Sequence, residues 1–486
     1  MAPASRLLRL AWLCALGITP ATAAQSNRQP APPADAPLAT IAVNVADSTG
    51  PLETWRHTLG HGGINALPLP QRVVEGTSRL HPRLIRVFLQ EFFFVYPDHG
   101  RFDWTRLDPY MDALSRTDAK VVAAITLKPK PLYPAIDQKV WRPNDVAEWQ
   151  RVVAALVKRY SVDRRLVTHW EIGNETDIGE NGGCPYLIPD AADYAEYYRM
   201  AIDPILATFP GAKVGGPAVA NGNGRLLPAF IERCAAEHLR LDFVSWHLYS
   251  DDPDRHAALV TKYRKLLDEK FPGRRPEMLV TEWNKGFEKL STEEQAFAPR
   301  RAAAAAAAIL AMTDAGVDYS FYYHLWDQTC YIADFKPFFG DVNIMYHHWN
   351  ETPHRFGLFG VNQEVRPQYF VYQFLGKLGP DRLATKCDDP ALRTLAGRDG
   401  NNVSVLIVNY GRPASTDRTA TLRFDRLSPG VKQLRTWRID DHKRGSPDRL
   451  ELPPIETREV DTQETFTCQA ACPADSVTLV RLEARR

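Results

Sequence analysis

The chain has 486 residues, 24% of them charged, and its 59 Lys and Arg nearly balance 58 Asp and Glu. Such a balance creates no net field to gather nucleic acid or an anionic membrane surface, so a neutral partner is expected. The length exceeds one ordinary core and suits a barrel of about 250 residues with long loops plus an accessory domain.

Residues 1–24 have the layout of a secretory signal peptide: Arg6 and Arg9 precede an apolar stretch from Leu10 to Ile18, closed by the small residues Ala21-Thr22-Ala23-Ala24. The mature chain is expected to begin near Gln25, in the periplasm or outside the cell. The apolar stretch is short for a bilayer, and no later run reaches the roughly 18 apolar residues a spanning helix needs, so no membrane contact is expected after cleavage. Residues 25–39 are rich in Pro and Ala and read as a flexible lead-in. Residues 40–54 include Ile41-Ala42-Val43-Asn44-Val45, a candidate strand for a sheet built by the other end of the chain.

Over residues 55–377 short β-like runs alternate with amphipathic helical stretches, the pattern of parallel strands joined by crossovers. The strand candidates are His57–Gly60, Leu84–Leu89, Val121–Leu127, Val167–Ile172, Lys213–Gly216, Phe243–His247, Met278–Glu282 and Tyr319–Leu325. Between them lie helix candidates such as Asp103–Arg116, Asp145–Tyr160, Ala191–Thr208, Leu226–Glu237, His256–Lys270 and Glu293–Ala315. Eight such units predict a closed (β/α)8 barrel of the TIM type, an α/β fold. The alanine run Ala302–Ala308 reads as a closely packed barrel helix. Over residues 378–486 the pattern becomes short alternating strands, among them Ser404–Asn409, Ala420–Phe424, Lys432–Ile439 and Ser476–Leu482, which predicts a C-terminal β-sandwich.

Cys14 leaves with the signal, and an exported chain could pair Cys184, Cys234, Cys330, Cys387, Cys468 and Cys472, so disulfides are expected without a connectivity. No His cluster accompanies Cys468 and Cys472, and no cofactor or metal is expected. A metal-dependent hydrolase would need His and Asp clusters at the strand ends, whereas His57, His61 and His247 are scattered.

Catalytic groups of a barrel sit at the C-terminal ends of its strands, and two glutamates end predicted strands. The fourth runs Thr168-His169-Trp170-Glu171-Ile172-Gly173-Asn174-Glu175 and the seventh Met278-Leu279-Val280-Thr281-Glu282-Trp283-Asn284. One strand-end glutamate is usually an ordinary carboxylate. Two at the same rim supply what cleavage of a glycosidic bond needs, a proton donor for the leaving oxygen and a carboxylate facing the anomeric carbon. Carboxyls about 5–5.5 Å apart make the reaction retaining, through a covalent glycosyl-enzyme. Glu171, inside the strand, is expected to make structural hydrogen bonds.

An Asn-Glu pair ending the fourth strand and Thr-Glu-aromatic-Asn ending the seventh resemble the clan A glycosidases, and within them family 39. Supporting segments are Trp55-Arg56 with Gly60 and Gly62, Leu84-Ile85-Arg86, Lys128-Pro129-Lys130-Pro131-Leu132, Val214-Gly215-Gly216-Pro217-Ala218 and Asp242-Phe243-Val244-Ser245-Trp246-His247. The resemblance implies Glu175 as acid/base, Glu282 as nucleophile and Asn174 as partner of the sugar 2-hydroxyl. It further implies His247 and Tyr249 as contacts near the nucleophile, and Arg86 as the group that orients Glu282 and keeps it ionised. His61, beside the first strand, is counted with the substrate contacts.

The chain departs from the family pattern at Thr176, where Pro is usual, and at Val87-Phe88, where His commonly follows the second-strand Arg. At the eighth strand Tyr323 or Trp326 is the candidate stacking platform. Leu248-Tyr249-Ser250-Asp251 puts no basic residue after His247, which disfavours an anionic sugar, with Lys128 and Lys130 the remaining candidate cations. The resulting expectation is a retaining β-xylosidase acting on xylo-oligosaccharides. Other family 39 activities, on arabinose-containing glycans, α-L-iduronides or internal polysaccharide bonds, stand behind it. A carbohydrate-binding barrel without activity is the alternative of a different class. Exo or endo action depends on whether the loops Asp177–Pro189 and Cys330–Arg355 close one end of the cleft; oligomeric state is left open.

Overall fold

The computed structural model describes residues 36–287, 292–351, 355–441 and 448–484. The expected signal peptide and residues 25–35 of the lead-in lie outside the described residues, and the first strand starts at Leu38, inside the stretch expected to be lead-in.

Chain order begins with β1 (Leu38–Pro51), and the barrel follows with β2 (His57–Gly60), β3 (Leu84–Gln90), β4 (Lys120–Thr126) and β5 (Val167–Ile172). It continues with β6 (Lys213–Val219), β7 (Phe243–Tyr249), β8 (Glu277–Asn284) and β9 (Tyr319–Tyr323). Each strand pairs in parallel with the next, and β9 returns to β2 with Gly60 opposite Tyr323, closing the ring. The eight predicted strands are the eight observed, because a parallel strand buried on both faces reads as an unbroken apolar run. β3 is buried along its whole length, polar Arg86 and Gln90 included. Leu84, Val122, Phe243, Leu279 and Phe321 fill the barrel interior as one apolar cluster and put a solid floor beneath the rim.

The helix expected over Glu293–Ala315 forms as two, Glu293–Ala296 and Pro299–Ala315, since Pro299 lacks an amide hydrogen and is accommodated in a first turn. Ala302–Ala308 are all buried, which lets this helix lie close against its neighbours Pro253–Lys270 and Pro367–Leu375.

The second sheet has nine strands and adds β10 (Asp381–Cys387), β11 (Leu392–Asp399), β12 (Asn402–Asn409), β13 (Arg418–Asp425), β14 (Gly430–Ile439), β15 (Glu456–Thr462), β16 (Thr465–Cys472) and β17 (Ser476–Ala484) to β1. Its order is β15-β14-β17-β12-β11-β10-β1-β13-β16. The sheet folds over one apolar core to which Ile41, Val43, Leu422 and Phe424 contribute from one half and Val405, Leu434, Val480 and Leu482 from the other. β1 sits inside it, antiparallel to β10 and parallel to β13, so the N-terminal strand is part of the C-terminal sandwich.

The disulfides expected of an exported chain are not formed: Cys184, Cys234, Cys330, Cys387, Cys468 and Cys472 are all free thiols. The register separates the closest in sequence, since Cys472 pairs with Arg418 at one end of a ladder and Cys468 with Leu422 four pairs further along it. No helix among the described residues is long and apolar enough to cross a membrane. The sandwich grips the barrel near the loop after β7, where Arg412 meets Asp252 at 2.9 Å and the Tyr410 hydroxyl donates to the Asp251 carbonyl at 2.9 Å.

Candidate active site

The rim residues of five strands converge above the barrel floor. Arg86 of β3 is fully buried and its guanidinium serves three groups: Nε donates to Glu171 at 2.6 Å, Nη2 to the Asn174 amide oxygen at 2.7 Å, and Nη1 to Glu282 at 3.2 Å. A planar fork with donors on three sides suits this position, and a lysine ammonium would not match its geometry. Glu171 makes the buried structural contact expected of it.

Beyond β5, Glu175 takes the left-handed backbone region with φ of 46°, a conformation that costs about 1 kcal/mol in a non-glycine residue and is held by its N–H donating to Ala218 O at 2.8 Å. His247 of β7 brings Nδ1 to 2.7 Å from Glu175 Oε1 and 3.5 Å from Glu282 Oε2, while the Tyr249 hydroxyl donates to Glu282 Oε1. The reactive atoms of Glu175, His247 and Glu282 all lie within 4.8 Å of one another. That spacing would also suit a divalent cation. Arg86 already supplies positive charge at 3.2 Å from Glu282, so the carboxylates need none from a metal.

The two carboxyls are not equivalent. Burial, the charge of Glu282 and that of Asp177 push Glu175 well above the usual carboxylate range, against a smaller pull from Arg86. Burial also raises Glu282, but Arg86 and the Tyr249 hydroxyl oppose it, with Glu171 adding a further rise. A single proton shared by the pair therefore rests on Glu175, leaving Glu282 ionised. Burial and the neighbouring Arg86 push His247 well below its ordinary range, so the imidazole is neutral.

These groups open into a pocket of about 330 Å³ whose lining residues all fall between Gly63 and Phe356, so the sandwich contributes none. Phe88, Tyr249, Tyr323, Trp349 and Phe356 give it aromatic walls. Two loops roof it. Gly182 lies so close to Glu175 that a Cβ there would come within 2.0 Å of Oε2, and its carbonyl accepts the Asn174 side-chain N–H at 3.1 Å. Glu180 then accepts the N–H groups of Gly340 at 2.8 Å and Asp341 at 3.0 Å, tying the loop after β5 to the segment after β9.

Of the residues singled out from sequence, Asn174, Glu175, Tyr249, Glu282 and Tyr323 line the pocket, while Arg86 and His247 sit behind the carboxylates. His61 and Trp326 do not line it. The β9 strand ends at Tyr323 and the chain then turns, so Trp326 pairs with Phe359 and stacks 6.2 Å from His61, which is fully buried against Tyr110 on its other side. Lys128 is also withdrawn, its ammonium donating to Asp137 O and Pro185 O beneath the roof loop. Residues that sequence reasoning passed over are Phe88, Ile178, Phe287, Met345, Trp349 and Phe356. Phe88 was visible as the departure after Arg86; the others lie on loops whose course no periodicity announces.

The model of the glycosyl hydrolases family 39 matches residues 83–450, about three quarters of the chain. This chain belongs to glycosyl hydrolase family 39. A β-xylosidase of Geobacillus stearothermophilus is 20% identical to this family 39 member over 336 residues, 63% of the chain and 61% of that enzyme, so the match spans about three fifths of the relative's length. Among solved structures, a family 39 enzyme from Xanthomonas axonopodis pv. citri superposes with a TM-score of 0.73 at 19% identity, covering 96% of this chain and 100% of that one. A glucosidase from Croceicoccus marinus gives 0.71 at 20% identity over 93% and 99%. These likenesses establish the barrel and sandwich as the family 39 architecture.

Proposed function

We propose that this protein is a retaining β-xylosidase, removing terminal xylosyl residues from short β-xylosides, xylo-oligosaccharides among them, in the periplasm or outside the cell. The observation that carries the reading is the unequal carboxyl pair, with an oxygen of each within 4.8 Å of the other, nearer than the roughly 6.5–9.5 Å that leaves room for the water of an inverting reaction. Glu175 donates its proton to the leaving oxygen as Glu282 attacks the anomeric carbon. Glu175 then takes a proton from the water that releases the sugar. With His247 donating Nδ1–H to Oε1, the transferable proton is left on Oε2. Asn174, held by Arg86 and Gly182, has one amide hydrogen left for the sugar 2-hydroxyl.

A neutral sugar is favoured because no Lys or Arg lines the pocket among the described residues, so a uronate carboxylate would enter an apolar, acidic cavity without a counterion. Named β-xylosidase relatives support the same choice. The test is a panel of p-nitrophenyl glycosides, with the anomer first released followed by NMR. Release of β-xylose from the β-xyloside is expected; silence across the panel, or first release of the α anomer, overturns the reading.

The loops tied together over Glu175 favour exo action. Glu180→Ala leaves two loop amides unpaired and is expected to raise KM for short xylosides about tenfold, with a smaller fall in kcat, whereas Glu180→Gln, which keeps one acceptor, should lose less. Steady-state kinetics on both variants checks this.

The pH profile follows from the raised Glu175. Its protonated form is the active one, so kcat/KM holds on the acid side and falls as pH rises through that elevated pKa. Glu175→Gln should abolish this alkaline limb along with most activity on substrates whose leaving groups need protonation, as read from kcat/KM across pH.

A further inference from the structure

The lining of the pocket is uneven in exposure, and its exposed part has its own chemistry. Phe88, Tyr323, Met345 and Phe356 are nearly inaccessible. The outward side is flanked by Ile178, 37% exposed, and Phe287, 56% exposed. Ile178 is three residues beyond Glu175 and its N–H donates to the Glu175 carbonyl at 3.0 Å. Phe287 packs 4.3 Å from Tyr249, whose hydroxyl holds Glu282. An exposed aliphatic and an exposed aromatic side chain therefore stand on either side of the carboxyl pair.

The glycosidic oxygen must lie beside the proton donor, so whatever leaves must leave past these two side chains. We propose that this mouth is a leaving-group site for an aromatic alcohol, preferred over a second xylose. The proposal rests on the β-xylosidase reading and deepens it. As the bond from the anomeric carbon to the alcohol oxygen breaks, that oxygen takes the Glu175 proton and the anomeric carbon bonds to Glu282, so the departing group is the neutral alcohol. A xylose in that place brings hydroxyls that need partners. Among the described residues, the polar side chains of the lining beyond the carboxylates and Asn174 are Asn181, His348 and two tyrosines whose hydroxyls are already donated inward, Tyr249 to Glu282 and Tyr323 to Gly62 O. An aromatic ring loses little water on entering and covers the exposed parts of Phe287 and Ile178.

The experiment compares 2-phenylethyl β-D-xyloside with xylobiose. Both release an alkyl alcohol, so leaving-group acidity does not confer the advantage it gives a nitrophenol. The expected result is a kcat/KM about tenfold or more higher for the phenylethyl xyloside, carried by KM, with the ratio collapsing toward one in Phe287→Ser and falling in Ile178→Asn. Equal or better cleavage of xylobiose by the wild type, or a ratio unchanged in Phe287→Ser, overturns the proposal. β-Xylosyl fluoride separates this failure from a deeper one, because fluoride departs without using the mouth. If the fluoride is turned over and the preference is missing, only the leaving-group site is wrong. If the fluoride is inert as well, the xylosidase reading falls and takes the leaving-group site with it.

Discussion

Glu282→Ala is expected to lower turnover of aryl β-xylosides by on the order of 10⁵-fold, the scale of loss when a covalent nucleophile is removed. Without that carboxylate no glycosyl-enzyme forms, and Tyr249 and Arg86 are left facing an empty position. Added azide, small enough to enter the vacated space, should restore release by direct displacement and give the α-xylosyl azide. The partner variant Glu175→Ala should behave differently. The first step with a good leaving group hardly needs the acid, so the glycosyl-enzyme accumulates, and azide then gives the β-xylosyl azide of retained configuration. Product stereochemistry in the two variants, read by NMR, assigns the roles. Two azides of the same configuration would contradict the assignment made from the unequal environments of the pair.

Arg86 carries the second large effect, because its guanidinium is buried and three polar side chains depend on it. Arg86→Met leaves Glu171, itself fully buried, without its cation, and breaking such a pair costs about 3–5 kcal/mol. Urea unfolding should register a loss of that size. Activity should fall too, since Glu282 loses a group that keeps it ionised and Asn174 loses its anchor. The double variant Arg86→Met/Glu171→Leu removes the stranded carboxylate as well, and is expected to regain most of the stability and little of the activity. Recovery of both together would reduce Arg86 to a packing residue. Arg86→Lys keeps the charge and loses the fork, so its kcat should lie between those of wild type and Arg86→Met.

The barrel was legible because its strands are buried on both faces and its helices carry a 3.6-residue period, signals that survive without tertiary context. The sandwich was half legible. β12, β13, β14 and β17 carry apolar runs, whereas β15 and β16 are the two edges of the sheet and expose alternate polar residues such as Arg458, Glu459 and Gln469, so their sequence resembles loop. β10 and β11 were passed over because Arg382, Lys386, Arg393 and Arg398 break up their apolar residues.

At the site the same division applies. Glu175 and Glu282 could be found from the chain alone because a barrel delivers the end of every strand to one rim, whatever the distance in sequence. Arg86 was found by position on β3, but that it also serves Glu171 and Asn174 depends on three strands meeting in the barrel interior. Only the packed structure decides which carboxyl keeps the proton, since burial, the Arg86 guanidinium and the Tyr249 hydroxyl act through space and leave no trace in either strand's sequence. Folding likewise withdrew His61 and Trp326 from the pocket and brought Phe287, Met345, Trp349 and Phe356 into it. Loops take their course from contacts with one another, such as Glu180 with Gly340 and Asp341, and not from a repeating pattern of their own. The sequence by itself determined the barrel, the rim and the two carboxyls on it; tertiary contacts decided their protonation and the loop residues that line the pocket, because each of these is a property of distance in space.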